Sequence, residues 1–354
     1  MDNRNGSTSW KIIKFIIVIL LAFAAIVGGA GYYVWNALQP VQADSGEKRT
    51  IVIPAKSSPR SVGVILEKNK LIKNARMFTV YTKIKGEGSM LKAGKYQFTV
   101  GQPIDEIVQK LSKGEVYKDT ITVTIPEGFT VEQIADRLAG KNLVNKQVFL
   151  HEADKGTFPY DIVKAIPGDT KMKHRLEGYL FPDTYEFKKG TTEHEYIDRM
   201  LGRFQEVWDT SWNAKVKQHG LSVHQAVTLA SIVEREVRAE GERAKVAGVY
   251  LNRLKQQMPL QADATIQYMF GKQKERVTFA DLKKDDPYNT YKVKGLPPGP
   301  IANPGKAALE AVVNAESNKF LYYVTKKDGT GEHYFAATYP EHLKNIEKSK
   351  ANQK

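Results

Sequence analysis

The chain of 354 residues contains no cysteine. Disulfide bonds, thiol nucleophiles and thiolate metal ligands are therefore excluded. The seven histidines form no HxxxH or HxH pair, so we expect neither a metal site nor a cofactor. The sequence also lacks a GxSxG elbow, a Walker loop and a GxGxxG segment after a strand. Their absence excludes the common serine hydrolase, nucleotide and dinucleotide sites.

The composition is that of a folded protein with a strongly basic surface. Hydrophobic residues make up 42% of the chain, and the net charge is +14 with a pI of about 9.5. Such a surface suits nucleic acid, anionic lipid headgroups or an anionic cell-wall polymer. We do not expect nucleic acid as a partner, because the sequence has no zinc-finger spacing, RNA-binding signature or arginine-rich arm.

A long uncharged run follows a short polar stretch at the start of the chain. Residues 1–14 contain three basic residues, and residues 15–35 carry no charge and end in an aromatic cluster of Tyr32, Tyr33 and Trp35. About 20 apolar residues are enough to span a bilayer. The basic flank predicts a single membrane-spanning helix with its amino end in the cytoplasm. The alternative is a cleaved signal peptide, for which the small residues at 28–31 are a weak cleavage site.

An internal repeat follows a polar linker at 36–49. Ile53-Pro54 and Ile125-Pro126 each precede apolar residues at matching offsets, as in a strand that leads into a short amphipathic helix. We therefore predict a small α+β module over residues 50–150. Such a module binds a ligand, or it is a spacer that holds the next domain away from the membrane.

Aromatic residues and acids are concentrated at 175–187, which includes Glu177 and the aromatic residues Tyr179, Phe181, Tyr185 and Phe187. Rings beside carboxylates are typical of a sugar-binding groove. A buried core hairpin explains the same pattern equally well.

The stretch at 222–237 predicts a buried helix that carries a carboxylate. Ser222 and Gln225 have capping-box spacing, and apolar residues recur at helical intervals. Glu234 and Glu236 interrupt this apolar run, and residues two apart cannot face the same site on a helix. Burial would raise the pKa of such an acid, as a general acid requires. The alternative is that both acids pair with arginines 235, 238 or 243 at a solvated helix end.

Further polar candidates follow this helix. A second helix at 242–258 carries two of them near its end, the segment at 260–268 alternates polar residues on one side, and the segment at 286–291 supplies the rest. A rigid loop at 295–305, with four prolines and three glycines, is predicted to form one wall of the cleft. The polar candidates are Asn252, Arg253, Gln261, Asp263, Thr265, Asn289, Thr290 and Tyr291.

Five segments together resemble the MltG, or YceG-like, endolytic murein transglycosylases. They are LEGYLFPDTY at 176–185, ASIVERE at 230–236, ERAKVAGVYLNRL at 242–254, LQADATIQY at 260–268, and YNTY with GLPPGPIANPG within 288–305. The resemblance implies a LysM-like module, which falls at 50–150, and an α+β catalytic domain at 151–345. The sequence itself adds a basic tail at 346–354. It places the family's essential glutamate at Glu236 and its neighbouring acid at Glu234.

The resemblance also implies an activity, a location and partners. The expected activity is cleavage of the MurNAc–GlcNAc bond of nascent glycan strands outside the cytoplasmic membrane, which leaves a 1,6-anhydroMurNAc end and terminates elongation. Expected partners are the glycan strands, peptidoglycan synthases and proteins of elongation and division. Glu236 is the expected catalytic acid and base, and Glu234, Glu177 and the eight polar candidates are expected to contact substrate.

Two other interpretations remain open at this point. A hydrolytic glycosidase would use Glu236 as the acid with Glu177 or Asp263 as a second carboxylate. A non-catalytic wall-binding or scaffold protein would also explain the module and the basic charge.

Overall fold

The computed structural model describes residues 6–41, 46–168, 171–271, 274–275 and 277–352, with side chains from residue 14 onward. The fold is mixed α+β, as predicted. Its contacts divide the chain into two compact units, Met1–Asp119 and Thr120–Lys354.

The first helix, α1 (Gly6–Leu38), contains the predicted membrane segment. Its stretch Lys14–Leu38 is 25 residues long and apolar enough to cross a membrane, and none of it is buried within the protein. The uncharged run thus forms one helix of sufficient length, which is consistent with membrane anchoring.

The remainder of the smaller unit contains one strand–helix–helix–strand repeat. It consists of β1 (Lys48–Ile53), α2 (Pro59–Lys68), α3 (Ala75–Ile84), β2 (Gly94–Thr99) and a further helix α4 (Ile104–Lys113). β1 and β2 pair antiparallel, from Lys48 opposite Thr99 to Ile53 opposite Gly94. The side chains of Leu66, Phe78 and Tyr96 are fully buried between these elements.

The second repeat has the same order of elements. It consists of β3 (Thr120–Thr124), α5 (Val131–Ala139), α6 (Lys146–Lys155) and, after the short helix α7 (Asp161–Lys164), β4 (Thr184–Lys188). β3 and β4 pair antiparallel. Leu138 and Phe149 are fully buried, like Leu66 and Phe78 at the matching positions of the first repeat. The predicted capping box of Thr130 and Gln133 is present at the start of α5.

The two repeats belong to different units, although the sequence pattern placed both in one module at 50–150. The second repeat joins the larger unit because Val123, Ile134 and Phe149 pack into the core that also contains Val227 and Ile232. The structure therefore divides at Asp119 and Thr120.

The aromatic segment at 175–187 is part of this core. Tyr179, Phe181 and Tyr185 are each at most 5% exposed, so these rings cannot stack on a sugar. The groove hypothesis for these rings is wrong, since packing has buried their faces.

The rest of the larger unit is mainly helical. Its elements are α8 (Glu193–Val207), α9 (Trp212–Gln218), α10 (Val223–Glu236), α11 (Arg243–Lys255), α12 (Asp263–Phe270), α13 (Lys306–Val313), β5 (Tyr322–Thr325), β6 (His333–Ala336) and α14 (Tyr339–Ala351). β5 and β6 pair antiparallel. The predicted basic tail at 346–354 is helical as far as Ala351, because Thr338 starts α14 with a capping box and Ser349 donates to Thr325 O.

Candidate active site

Helix α10 brings Glu236 to the site at its last residue. The Ser222–Gln225 capping box starts the helix, as the sequence predicts, and every residue at 226–233 is buried. Val237 leaves the helical conformation. The carboxylate is therefore held at the end of a rigid, buried element while the residue itself stays partly exposed.

Two donors from other elements contact the Glu236 carboxylate. The backbone N–H of Ala264, in the first turn of α12, donates to Oε1 at 3.0 Å. The hydroxyl of Tyr323, on β5, donates to Oε2 at 3.3 Å. The two oxygens are thus fixed by different elements, and the carboxylate lies at the amino end of α12.

Tyr323 is itself held by a second tyrosine that the sequence analysis missed. Its hydroxyl lies 2.6 Å from the hydroxyl of Tyr250, on α11, and the two rings meet edge to face at 6.1 Å. A sequence signal existed, because Tyr250 lies on the apolar face of a predicted helix, and a buried tyrosine hydroxyl usually finds a polar partner.

Burial raises the pKa of the Glu236 carboxyl above its usual value, and the nearby Asp263 carboxylate raises it further. The Ala264 N–H, the Tyr323 hydroxyl and the Arg235 charge act in the opposite direction, but burial has the larger effect. A carboxyl in this environment retains its proton at higher pH than a free glutamate and can donate it.

Asp263 and Tyr291 lie beside Glu236. The Tyr291 hydroxyl donates to Asp263 Oδ1 at 2.5 Å, and Asp263 is exposed in the first turn of α12. Asp263 is therefore a second carboxylate next to Glu236 that solvent can reach.

Glu234 faces a different part of the molecule. Its Oε2 accepts from the N–H of Gly305 at 3.0 Å, at the start of α13, and its Oε1 lies 3.8 Å from Arg243. The predicted pairing with arginine therefore holds for Glu234. Burial raises the pKa of this carboxyl too, so contacts rather than pKa distinguish the two acids.

Glu177 is completely buried and caps helix α5. It accepts from Val131 N at 3.1 Å, from the Tyr268 hydroxyl at 3.0 Å and from Asn303 Nδ2 at 3.2 Å. Burial raises its pKa to about 7. These contacts connect the second repeat to α12 and to the loop before α13.

The side chains of Asn252 and Arg253 hold the segment that leads into β5. Asn252 donates to the carbonyl oxygens of Asn318 and Phe320, and Arg253 donates to those of Leu321 and Leu260. Both contacts position Tyr323 on β5.

Three further candidates are buried, two of them at the start of α12. Thr290 accepts from Ala262 N at 3.0 Å and lies 2.9 Å from Thr265 Oγ1, while Asn289 donates to the carbonyls of Leu282 and Lys284. Gln261 differs, because its side chain is exposed and its backbone has a φ of 51°. A positive φ is uncommon outside glycine, and such strain is concentrated at functional sites.

The loop at 295–305 packs against helix α10. Ile301 N donates to Ser231 Oγ, and Pro298 O lies 3.0 Å from His224 Nε2. On an ideal helix the side chains of Ser231 and Glu236 point in directions about 140° apart. Within the described residues no hydrogen bond joins this loop to Glu236. Ile301 does line a cavity that Ala264, the hydrogen-bond partner of Glu236, also lines, so the cleft wall stays a prediction.

Within the part of the chain that the structure describes, no group of three or more histidine, aspartate or glutamate side chains could hold a metal ion. The groups around Glu236 are the Asp263 carboxylate, tyrosine hydroxyls and a backbone amide.

The fold and this carboxylate site define a protein of the YceG-like family, to which the chain belongs, since the family's profile matches residues 51–348. Relatives from Bacillus subtilis (strain 168) and Streptococcus pneumoniae (strain D39) are named endolytic murein transglycosylase. The first is 39% identical over 339 residues, which is 93% of each chain. The second is 34% identical over 361 residues, which is 94% of this chain and 65% of the relative.

A solved structure has the same fold. The crystal structure of a yceG-like protein from Listeria monocytogenes matches with a TM-score of 0.58 and 37% sequence identity. The match covers 85% of this chain and 99% of that one.

Proposed function

We propose that this chain is a membrane-anchored endolytic lytic transglycosylase that cleaves the MurNAc–GlcNAc bond of peptidoglycan. Its family and the names of its relatives support the enzyme class and the substrate. The observation that carries the mechanism is the partly buried Glu236 carboxyl with its raised pKa, held by Ala264 and Tyr323.

In the first step, protonated Glu236 donates its proton to the glycosidic oxygen as the bond from C1 of MurNAc to that oxygen breaks. In the second step, the 6-hydroxyl oxygen of the same sugar attacks C1, and the Glu236 carboxylate takes up the hydroxyl proton. Glu236 regains its proton and no water is consumed, and the product is a 1,6-anhydroMurNAc end. An intramolecular nucleophile has a large effective concentration, so one carboxylate suffices.

The neighbours of Glu236 suit a residue that acts in both protonation states. The Ala264 N–H and the Tyr323 hydroxyl stabilise the ionised form, whereas burial and Asp263 stabilise the protonated form. Gln261, Asp263 and Tyr291 lie on the segments beside the carboxylate and are the candidates for contact with sugar hydroxyls.

We further propose that the first repeat is a LysM-like module that binds glycan, because its strand–helix–helix–strand order and antiparallel strand pair are those of a compact, independent repeat. In this proposal the enzyme terminates the elongation of nascent strands, and peptidoglycan synthases and proteins of elongation and division are its partners.

The basic residues before α1 favour an amino end in the cytoplasm and an external catalytic unit. Protease added to intact spheroplasts should then digest the region after Gln39 while α1 stays in the membrane fraction. Protection of that region, or a soluble processed form as the main species, would contradict this topology.

The decisive test is digestion of un-crosslinked glycan by the detergent-solubilised full chain, followed by mass spectrometry of the new ends. AnhydroMurNAc ends are expected. Reducing MurNAc ends would instead favour a hydrolase in which Asp263 is the second carboxylate, an alternative that the nearness of Asp263 to Glu236 keeps open. Binding without cleavage would favour a scaffold protein.

A further inference from the structure

A cavity of about 110 Å³ lies between helix α5 of the second repeat and helix α12. Thr130 and Glu132 line it on the α5 side, and Ala264, Gln267 and Tyr268 line it on the α12 side. These α12 residues are three and four positions apart, so they share one face of the helix.

The cavity adjoins the proposed catalytic group. Ala264, whose N–H donates to Glu236, lines it, and so does Arg235, the residue that precedes Glu236. A substrate held at Glu236 can therefore extend a branch along α12 into the cavity. Pockets that enclose a whole small molecule are roughly 300–1,000 Å³, so this one suits a branch better than a further disaccharide.

The lining has charge but offers no ring for a sugar to stack on. Its aromatic side chain, Tyr268, is 8% exposed, and the Lys173 ammonium lies 5.0 Å from the ring centre. Lys173, His174 and Arg235 supply cationic or ionisable nitrogens, while the carboxyl groups come from Glu132, Asp136 and the buried Glu177. Sugar hydroxyls can bond to such charges, but the carboxylate or ammonium of a peptide pairs with them more strongly.

Most of these charged groups already have partners. Lys173 donates to the carbonyl oxygens of Tyr268 and Met269, His174 contacts Asp154, and Asp136 pairs with Lys146. Arg235 and Glu132 can each make further hydrogen bonds. Among the described residues, Arg235 donates one hydrogen bond, to Gly128 O at 3.2 Å, and a guanidinium has five N–H donors. Glu132 is exposed, with His174 at 3.6 Å.

We propose that this cavity is a subsite for the peptide branch of the glycan strand, with Arg235 contacting a peptide carboxylate and Glu132 a peptide ammonium or amide. This proposal rests on the proposed function, because the branch reaches the cavity only when the strand occupies Glu236. It also assigns a role to the second repeat, whose helix α5 forms one wall of the subsite.

The test compares peptide-bearing glycan with the same glycan stripped of peptides by an amidase. The readout is the ratio of kcat/KM for the two substrates, since a change in the Glu236 pKa affects both alike. Hydrogen bonds to charged groups contribute about 1.5–3 kcal/mol, so Arg235→Gln should lower the ratio at least about tenfold. Glu132→Gln should lower it less, and Arg235→Lys should restore part of it.

Arg238→Gln is the matched control, because Arg238 is exposed on the same chain segment and does not line the cavity. It should leave the ratio unchanged. Equal losses on both substrates in Arg235→Gln, or a wild-type ratio near one, would overturn the proposal. Co-sedimentation of both glycans with Glu236→Gln measures binding to the subsite without cleavage. Tighter binding of the peptide-bearing glycan is expected, and equal binding would overturn the subsite. Failure of the proposed activity is therefore a separate outcome.

Discussion

The Tyr323 hydroxyl donates a hydrogen bond to Glu236 Oε2 at 3.3 Å, from a strand that lies 87 residues further along the chain. Tyr250 contacts the same hydroxyl at 2.6 Å. The orientation and the acidity of the proposed catalytic group therefore depend on β5 and α11 as well as on α10.

Glu236→Gln should abolish anhydro-product formation, with a loss of at least ~10²–10⁴-fold, because a neutral amide can neither donate nor accept the proton. Glu234→Gln should retain most activity, since the Glu234 carboxylate contacts Gly305 at the start of α13. It should instead lower stability by about 0.3–1 kcal/mol, the usual contribution of a charge at a helix amino end. AnhydroMurNAc ends and thermal stability are measured for both variants. An inactive Glu234→Gln beside an active Glu236→Gln would reverse the assignment.

Tyr323→Phe removes a donor that stabilises ionised Glu236, so the Glu236 pKa should rise further. The acid must be protonated to act, and kcat/KM falls as pH rises through that pKa. We expect this alkaline limb to move up by about one pH unit and the maximal rate to fall about tenfold. The control is Tyr322→Phe, because the Tyr322 ring packs on Arg253 instead. An unchanged pH–rate profile in Tyr323→Phe would contradict the role of this bond.

Asp263→Asn should move the same limb in the opposite direction. The Asp263 charge raises the Glu236 pKa, so its removal lowers that pKa and the activity declines at lower pH. The shift should be less than about one unit, because Asp263 is exposed and solvent screens its charge. A pH–rate profile of kcat/KM measures it. Complete loss of cleavage with normal glycan binding would instead indicate that Asp263 is a catalytic carboxylate.

Glu177 should make stability depend on pH. Its pKa is about 7 in the folded protein against 4.5 ordinarily, so its stabilising effect is full below about pH 4.5 and is lost as pH rises to about 7. The loss amounts to about 3 kcal/mol. Glu177→Gln should remove this slope, which thermal unfolding between pH 4 and 8 can measure. Parallel curves for the two proteins would show that Glu177 does not titrate in this range.

Helix α10 illustrates how far local sequence predicts the fold. The capping box, the apolar spacing and the end near Glu236 are local properties, and the structure confirms them. The second repeat illustrates the limit of such patterns. Its strand and helices were predicted, but its assignment to the larger unit depends on pairing between β3 and β4, which are about sixty residues apart.

In the candidate site, too, local sequence predicts some features and not others. The spacing of Glu234 and Glu236 predicted that one acid at most faces the site, and the structure directs Glu234 to Gly305 and Glu236 to Ala264. The type of a polar residue did not distinguish candidates for substrate contact from residues that support the site. Thr265 and Thr290 are buried supports that bond to backbone groups at the start of α12, and Asn289 is a buried support that bonds to the carbonyls of Leu282 and Lys284.

By itself, the sequence determined the apolar helix at the start of the chain, the two strand–helix repeats, the helix that ends at Glu236 and the family to which the chain belongs. These features follow from periodicity, capping and local motifs, which act over a few turns of chain. The tertiary structure alone decided that Tyr250 and Tyr323 support Glu236, that Glu177 caps α5 and that a charged cavity adjoins the site. Each of these contacts joins residues distant in sequence, and side-chain packing determines which of them meet.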